Sequence, residues 1–478
     1  MLSVCATIDG LAGNLLTGAD MRCVRDDREG WISRDQLREV VEELRDRILD
    51  LSARVVFLST QNDLASLAGL LASWAAGQPV ALLDPALPDD ALGQLLATYQ
   101  PEILLGYKLD NSSYRRILEK SAIRPSIQFA CSPTRQSIHP DLALLLSTSG
   151  STGSPKFVRL SRSAVAANAR QIAEALAITP DDIGIAHLPM YYSYGLSIVT
   201  SHLIAGASVS LMTGRVTEPT FWRRIGEDGG THFPGVPFHY SVLDRLGIKR
   251  FVPASVRTFT QAGGHLDHQT RWRCYNAIVE RGGRFYVMYG QTEAGPRITT
   301  LQSDEFPENS ASVGRALSGG LLSIIADDGK AQAPGIEGNV IYQGPNVMMG
   351  YATSRGDLAL PDVLGGRLET GDRGTLSSDG ILTLTGRTQR FAKIAGLRIA
   401  LDEIESFLGA SGSVAALAPN EKILLYLKPS DGPDVAERVA RLAHRLHLPS
   451  AVFVTRLVED IPLKASGKID YKALERLG

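Results

Sequence analysis

The chain has 478 residues, 44% apolar and 21% charged, with a formal net charge of −2. This is the balance of an ordinary globular protein long enough for more than one folding unit. A charge so near neutral argues against a general nucleic-acid binder, which needs a basic surface, and no apolar stretch approaches the ~20 residues that span a bilayer. The four cysteines, Cys5, Cys23, Cys131 and Cys274, are widely spaced and form no CxxC pair, so neither a zinc site nor a disulfide framework is expected. Reduced thiols in the cytoplasm are the simpler reading. The N-terminal segment lacks the basic-then-apolar pattern of a secretory signal.

From Trp31 the chain alternates helical and strand patterns. Ser33 is placed to cap a helix carrying Leu37, Val40, Val41, Leu44 and Ile48 on one face. The run Val55-Val56-Phe57-Leu58 reads as a buried strand, Leu64 to Ala76 as a helix ended by Gly77, and Pro79 to Leu83 as a second strand. Alternation of this kind predicts parallel strands with crossover helices. After a break the pattern resumes with the strand Leu142–Leu146, a loop rich in glycine and hydroxyls, and a helix starting at Ser161 with Val165, Ile172 and Leu176. Residues 310–385 turn β-rich, and Asp379-Gly380 marks a hairpin because that pair tolerates the positive φ of a tight turn. A small α+β unit closes the chain. The fold class expected is α/β, with stacked α/β subdomains and a β-rich subdomain over residues 1–387 and a small mobile α+β domain over 388–478.

The loop Thr148-Ser149-Gly150-Ser151-Thr152-Gly153-Ser154-Pro155-Lys156 follows a predicted strand. Glycines let backbone N–H groups approach an anion, hydroxyls add donors, and Lys156 adds a positive charge, an assembly suited to polyphosphate. It is not a Walker loop, since GxxxxGK[ST] is absent. Composition alone also allows a plain Ser/Gly surface loop.

With this loop, further segments follow in order: Gly263-Gly264, Tyr289-Gly290-Gln291-Thr292-Glu293, Glu337-Gly338 through Gly344–Tyr351, Thr370-Gly371-Asp372, Gly386-Arg387, and Pro462 to Asp470. In this set and order the sequence resembles the adenylate-forming superfamily of acyl-CoA synthetases, carrier-protein acyl or aryl ligases, nonribosomal adenylation domains and luciferases. The resemblance implies ATP and Mg²⁺ as cofactors and a nucleotide site of Thr148, Ser149, Gly150, Ser151, Thr152, Gly153, Lys156, Gly263, Gly264, Tyr289, Gly290, Gln291, Thr292, Asp372 and Arg387. Within it, Glu293, with Thr148, would hold the metal, an oxygen-donor role natural to Mg²⁺. Asp372 would accept the ribose hydroxyls, Arg387 would lie at the ribose and Tyr289 would stack on adenine. Each also has a plainer reading: surface glutamate, turn aspartate, salt-bridging arginine, core tyrosine.

The resemblance makes Lys468 the catalytic lysine, with Thr148 and Glu293 beside it in the chemical step. An ammonium spanning a carboxylate and the α-phosphate stabilises the charge that develops as they join. Lys464 lies outside the Ser-Gly-Lys-Ile-Asp match. The hinge of the small domain falls on Gln389, where the family usually has Asp or Lys. A hinge needs only to absorb a φ/ψ change.

Relatives that activate amino acids carry an aspartate where Ser193 falls. A neutral serine compensates a buried ammonium poorly, which disfavours an α-amino acid. Tyr191, Tyr192, Tyr194, Phe238, His239 and Met288 are candidates for the acid pocket; aromatic walls suit an aryl acid, and a short or medium aliphatic acid stays open. The acceptor thiol is CoA or the phosphopantetheine of a holo acyl or aryl carrier protein. Arg438, Arg441, His444, Arg445 and His447 form a basic helical stretch that would draw an acidic carrier or would simply be solvated. The alternatives in function are a non-catalytic nucleotide- or acyl-binding homologue of the same fold and an oxidative luciferase-type enzyme.

Overall fold

The computed structural model describes residues 22–49, 55–108, 113–121, 123–134, 136–147, 156–387, 391–394, 397–408, 414–419, 422–428, 435–446, 448–462, 469 and 471–476. They fall into two compact units, the larger within Met1–Ser147 and Lys156–Thr385 and the smaller within Gly386–Gly478.

The larger unit contains three sheets. The eight-stranded sheet runs, edge to edge, through Gly350–Ala352, Phe157–Ser161, Leu142–Ser147, Val80–Leu83, Val56–Ser59, Ile103–Leu105, Ile127–Ala130 and Tyr114–Leu118. Its four central strands are parallel. Val56, Phe57, Leu58 and every residue of Val80–Leu83 are buried, which is why these strands read as unbroken apolar runs rather than alternating ones. Between them crosses the helix Leu64–Ala75, whose first turn is capped by Asp63 accepting from the Ser66 N–H at 2.8 Å. Ser33 and Gln36 form a reciprocal box at the start of the helix Arg34–Leu49, and Ser161 caps Arg162–Ala175 through the Ala164 N–H.

The nine-stranded sheet is built around five parallel strands, in the order Ser208–Leu211, Ile183–Ala186, His232–Gly235, Thr258–Gln261 and Arg284–Gly290. Antiparallel Arg297–Leu301 and then Arg315–Ala316 extend one side; the pair Arg22–Asp26 and Gly30–Ser33 extends the other. Asn62 ties the two large sheets together: its Nδ2 donates to the carbonyls of Ala186 and Leu188, both at 3.0 Å, and its Oδ1 accepts from the Met190 N–H. The third sheet orders Leu321–Ile325, Gly338–Gln343, Arg367–Leu376 and Leu382–Arg387. Its last two strands turn at Ser377–Ile381 with Gly380 at φ +83°, the hairpin expected from Asp379-Gly380.

The smaller unit pairs Phe391–Ile394 with Leu397–Ala400 and has a three-stranded sheet of Val414–Leu417, Ile423–Leu427 and Phe453–Leu457. The helices Leu401–Leu408 and Val435–Arg445 contribute Ile404, Leu408, Val439 and Leu442 to its core. The α/β expectation therefore holds, with an α+β unit at the C-terminal end. Most strands of the nine-stranded sheet were not anticipated, and two further misses have a clear physical reason. Phe157–Ser161 precedes the Ser161 cap, and its fully buried Arg159 disguises it: the guanidinium is satisfied by the carbonyls of Met349, Tyr351, Leu360 and Pro361. The Arg22–Ser33 hairpin is an edge whose partner, Ser208–Leu211, lies far along the chain.

Candidate active site

The parallel strands of the nine-stranded sheet stay in register, with Gly235 opposite Gln261 and Gln261 opposite Val287. Their carboxyl ends therefore lie along one edge, and four of the five run into a segment of interest: His187, Val236, Ala262-Gly263-Gly264 and Gln291-Thr292-Glu293. An open α/β sheet takes its ligands in the crevice outside such ends.

Gly263 sits at φ +79°, and a Cβ there would lie 2.5 Å from the Tyr192 hydroxyl and 3.2 Å from Val236 Cγ1. Both the left-handed conformation and the close approach require glycine. At Gly290 a Cβ would come within 1.9 Å of the Pro296 carbonyl oxygen, so the chain can fold back from Arg284–Gly290 into Arg297–Leu301 only without a side chain. Between these strands Thr292–Ala294 makes one 3₁₀ turn. The Thr292 hydroxyl meets the Ser193 hydroxyl at 3.1 Å, which joins this turn to the first residue of the helix Ser193–Ile204.

Glu293 projects from that turn. Its Oε1 accepts from the Tyr351 hydroxyl at 2.8 Å, and its backbone carbonyl accepts from the Met348 N–H at 2.9 Å. Lys156 Nζ lies 3.4 Å from the centre of the Tyr351 ring, a cation–π contact. One tyrosine thus bridges the lysine that follows the hydroxyl-rich loop and the carboxylate of the Gln-Thr-Glu turn. Glu293 is partly exposed, and among the described residues there is no group of three or more His, Cys, Asp or Glu side chains able to hold a metal ion. A single accessible carboxylate is the donor set that Mg²⁺ uses when phosphate oxygens supply the remainder.

Tyr289 and Asp372 are both buried, and the tyrosine hydroxyl donates to Asp372 Oδ2 at 2.6 Å. The Asp372 N–H donates to the Thr370 hydroxyl, which donates onward to the Val340 carbonyl. The structure thus brings Lys156, Gly263, Gly264, Tyr289, Gly290, Gln291, Thr292, Glu293 and Asp372 into one unit. Arg387 ends the strand Leu382–Arg387. Thr148, Ser149, Gly150, Ser151, Thr152, Gly153, Gln389, Lys464 and Lys468, together with His447 of the basic helix, lie outside the described residues.

The six acid-pocket candidates divide into three groups. Tyr194 and Met288 are buried in one apolar cluster against which Tyr192 packs; the Tyr194 hydroxyl bonds to Thr260 through its carbonyl and hydroxyl. His239 faces the half-buried His187 across 3.5 Å, with His187 stacked on Phe233 and Phe238 64% exposed beside His239. Burial pushes His239 down to about 4 and His187 well below its ordinary value, so both rings are neutral. Tyr191 turns toward the first sheet, where burial and then Asp84 push it up to about 12.

Two residues at the site were not singled out from sequence. Asn346 is fully buried and donates to the carbonyls of Ala294 and Arg297 at 2.6 and 2.8 Å while its Oδ1 accepts from Tyr342. It pins the Gln-Thr-Glu turn to the third sheet, and its position within Gly344-Pro345-Asn346 was the available signal. Arg297 is buried with its guanidinium 4.7 Å from the centre of the Tyr194 ring; a single arginine in a short strand gave no signal.

The sequence matches the AMP-binding enzyme family over residues 16–352. It is 30% identical over 354 residues to an oxalate–CoA ligase of Arabidopsis thaliana, a match covering 69% of this chain and 66% of that protein. It is 28% identical over 375 residues to an indoleacetate–CoA ligase of Aromatoleum aromaticum, covering 75% of this chain and 70% of that one. The chain thus spans just under two thirds of the length of the first of these relatives. In fold it is similar to the o-succinylbenzoate CoA synthetase of Bacillus subtilis, solved with a product analogue, at a TM-score of 0.75 and 21% identity over 97% of each chain. Among the described residues no helix is long and apolar enough to cross a membrane. With the match extending over more than half of its length, this chain belongs to the AMP-binding enzyme family.

Proposed function

We propose that this chain is an ATP-dependent acid–thiol ligase acting on a carboxylic acid other than an α-amino acid. A carboxylate oxygen attacks the α-phosphorus of ATP, the bond to pyrophosphate breaks, and acyl-AMP forms. A thiol sulfur then attacks the acyl carbonyl and AMP leaves, giving a thioester. The observation that carries this reading is the convergence of Lys156, Tyr351 and Glu293 beside the buried Tyr289–Asp372 pair at the carboxyl ends of one parallel sheet. In this reading Asp372 takes the ribose hydroxyls, Tyr289 flanks the base, Glu293 with Thr148 holds the Mg²⁺ that accompanies ATP, and Lys156 neutralises phosphate. Arg387 lies at the ribose, Gln389 is the pivot between a domain of residues 1–387 and one of 388–478, and Lys468 spans the reacting carboxylate and phosphate. The relatives named for CoA support CoA as the acceptor. A carrier protein is the second reading, favoured by Arg441, His444 and Arg445 standing exposed on the helix Val435–Arg445, a surface that would attract an acidic partner.

The test is acid-dependent ATP–pyrophosphate exchange over a panel of aryl and aliphatic acids, followed by thioester formation with CoA and with a holo carrier protein. At least one acid supports exchange, and Lys468→Ala lowers it by roughly a hundredfold or more. Tight nucleotide binding with no exchange for any acid would instead identify a non-catalytic homologue. Oxygen-dependent light emission would identify a luciferase-type enzyme.

A further inference from the structure

Four arginines of the larger unit are no more than 5% exposed, and three of them are compensated. Arg159 donates to main-chain carbonyls. Arg271 donates to the carbonyls of Ser310, Ser312 and Leu266. Arg355 forms an ion pair with Glu102 at 2.7 Å and donates to the Tyr99 carbonyl. The fourth, Arg297, is only 2% exposed, and no nitrogen of its guanidinium has a hydrogen bond or an ion pair among the described residues; Nε and Nη2 are both fully buried. Among the described residues its guanidinium lies over the face of Tyr194.

A ring face offsets only part of the cost of desolvating a guanidinium, and a buried charge without a counter-charge is strongly unfavourable. Burial lowers the arginine's proton affinity, and its facing groups are the hydroxyls of Tyr194 and Tyr192 rather than a carboxylate. The main chain around it is firmly held. Asn168 exchanges two hydrogen bonds with the Arg297 peptide and Asn346 adds a third, so the side chain is fixed at a defined place. That place is opposite Gly290 in the strand pair and beside Tyr194, which shares its apolar cluster with Met288 and Tyr192. A planar guanidinium with free donors matches a carboxylate.

We infer that Arg297 is a recognition residue for a second carboxylate on the acid substrate, so that the substrate class of this site is dicarboxylic acids. The inference rests on the proposed ligase function and names its acid. One carboxylate of the substrate is activated as the acyl-adenylate; the other, at the far end, stays ionised and takes the unused donors of Arg297. The walls contributed by Tyr192, Tyr194 and Met288 pack the carbon chain or ring between them.

The experiment compares aliphatic and aryl diacids with their monomethyl esters, which keep one carboxylate and neutralise the other, using the full-length protein and pyrophosphate exchange. The wild type is expected to prefer the best diacid over its half-ester by roughly thirtyfold or more in kcat/KM, the loss typical of truncating one partner of a buried charge pair. In Arg297→Gln that ratio collapses toward one, and Arg297→Lys restores part of it. Should Arg297→Gln fail to fold, the wild-type ratio and the binding of each diacid and half-ester to wild-type protein by calorimetry decide the matter. A wild type that uses half-esters or simple monoacids as well as diacids overturns the inference and leaves the ligase reading standing. Inactivity with every acid overturns both. A diacid preference that persists undiminished in Arg297→Gln assigns the recognition elsewhere and overturns the role of Arg297.

Discussion

The Tyr289 hydroxyl donates to Asp372 Oδ2 at 2.6 Å, linking the end of the last parallel strand of the nine-stranded sheet to the middle of the strand Arg367–Leu376. The sequence had suggested separate tasks for these residues, one at the base and one at the ribose; the contact makes them a unit. Tyr289→Phe removes a donor from a buried carboxylate, which costs about 1–3 kcal/mol. Denaturant unfolding should register that loss, and the KM for ATP should rise severalfold with little change in the KM for the acid. Equal rises in both constants would mean that the pair serves the fold and not the nucleotide.

What was legible in the sequence was whatever depends on neighbours along the chain. Leu64–Ala75, the Ser33 and Ser161 caps and the Asp379-Gly380 turn are encoded by periodicity and by side chains that bond within three or four residues. What escaped depends on distant partners. Arg159 reads as a surface residue until the carbonyls of 349–361 are folded over it. Phe238 and Tyr191 share the aromatic character of Tyr194, yet one is exposed and the other turns to Asp84. Asn346 and Arg297 show the same limit, because their meaning lies in the carbonyls around the one and in the lack of a counter-charge among the described residues around the other.

The bridge from Lys156 through the Tyr351 ring to Glu293 makes a second expectation. Glu293→Gln keeps the shape and an acceptor for the Tyr351 hydroxyl but removes the negative charge. If Glu293 is the Mg²⁺ ligand, adenylation falls by roughly a hundredfold and the Mg²⁺ concentration needed for half-maximal rate rises, while the melting temperature without nucleotide stays near the wild-type value. Tyr351→Phe, which breaks only the bridge, has a smaller effect, on the order of a few-fold. An unchanged Mg²⁺ dependence in Glu293→Gln would remove Glu293 from the metal site.

Gly263 and Tyr192 form a steric pair that a double-mutant cycle can isolate. In Gly263→Ala the new methyl meets the Tyr192 hydroxyl at 2.5 Å, and the backbone is held at φ +79°. The backbone term costs about 1 kcal/mol or more whatever surrounds it, and the clash adds to it. Tyr192→Phe deletes the offending oxygen, so the double variant should recover the steric part and keep the backbone part. Stability and nucleotide affinity are both read by thermal shift with and without AMP. Strict additivity of the two substitutions would show that the hydroxyl moves aside freely.

Acid sensitivity follows from a buried histidine pair under the nine-stranded sheet. His202 and His232 lie with ring centroids 4.9 Å apart. His202 Nδ1 donates to the Ile198 carbonyl at 2.8 Å, and the Nε2 of each ring is buried without a partner among the described residues. Burial pushes His202 from its ordinary 6.5 down to about 4, and burial with the facing His202 lowers His232 as well. Burial alone would raise the neighbouring Asp182, but hydrogen bonds from the Thr179 N–H and hydroxyl, with His232 and Arg257 facing it, hold it low. A histidine depressed in the folded state binds its proton more readily when unfolded. Stability is therefore intact above pH 6.5, is lost as pH falls toward 4, and drops further below that as Asp182 protonates. The His202 shift alone is worth roughly 3 kcal/mol across that window. Melting temperature against pH should slope steeply between pH 6.5 and 4, and His202→Leu, though less stable at pH 8 through the lost Ile198 contact, should flatten the slope. A variant that keeps the full wild-type slope would shift the acid sensitivity to groups other than this pair.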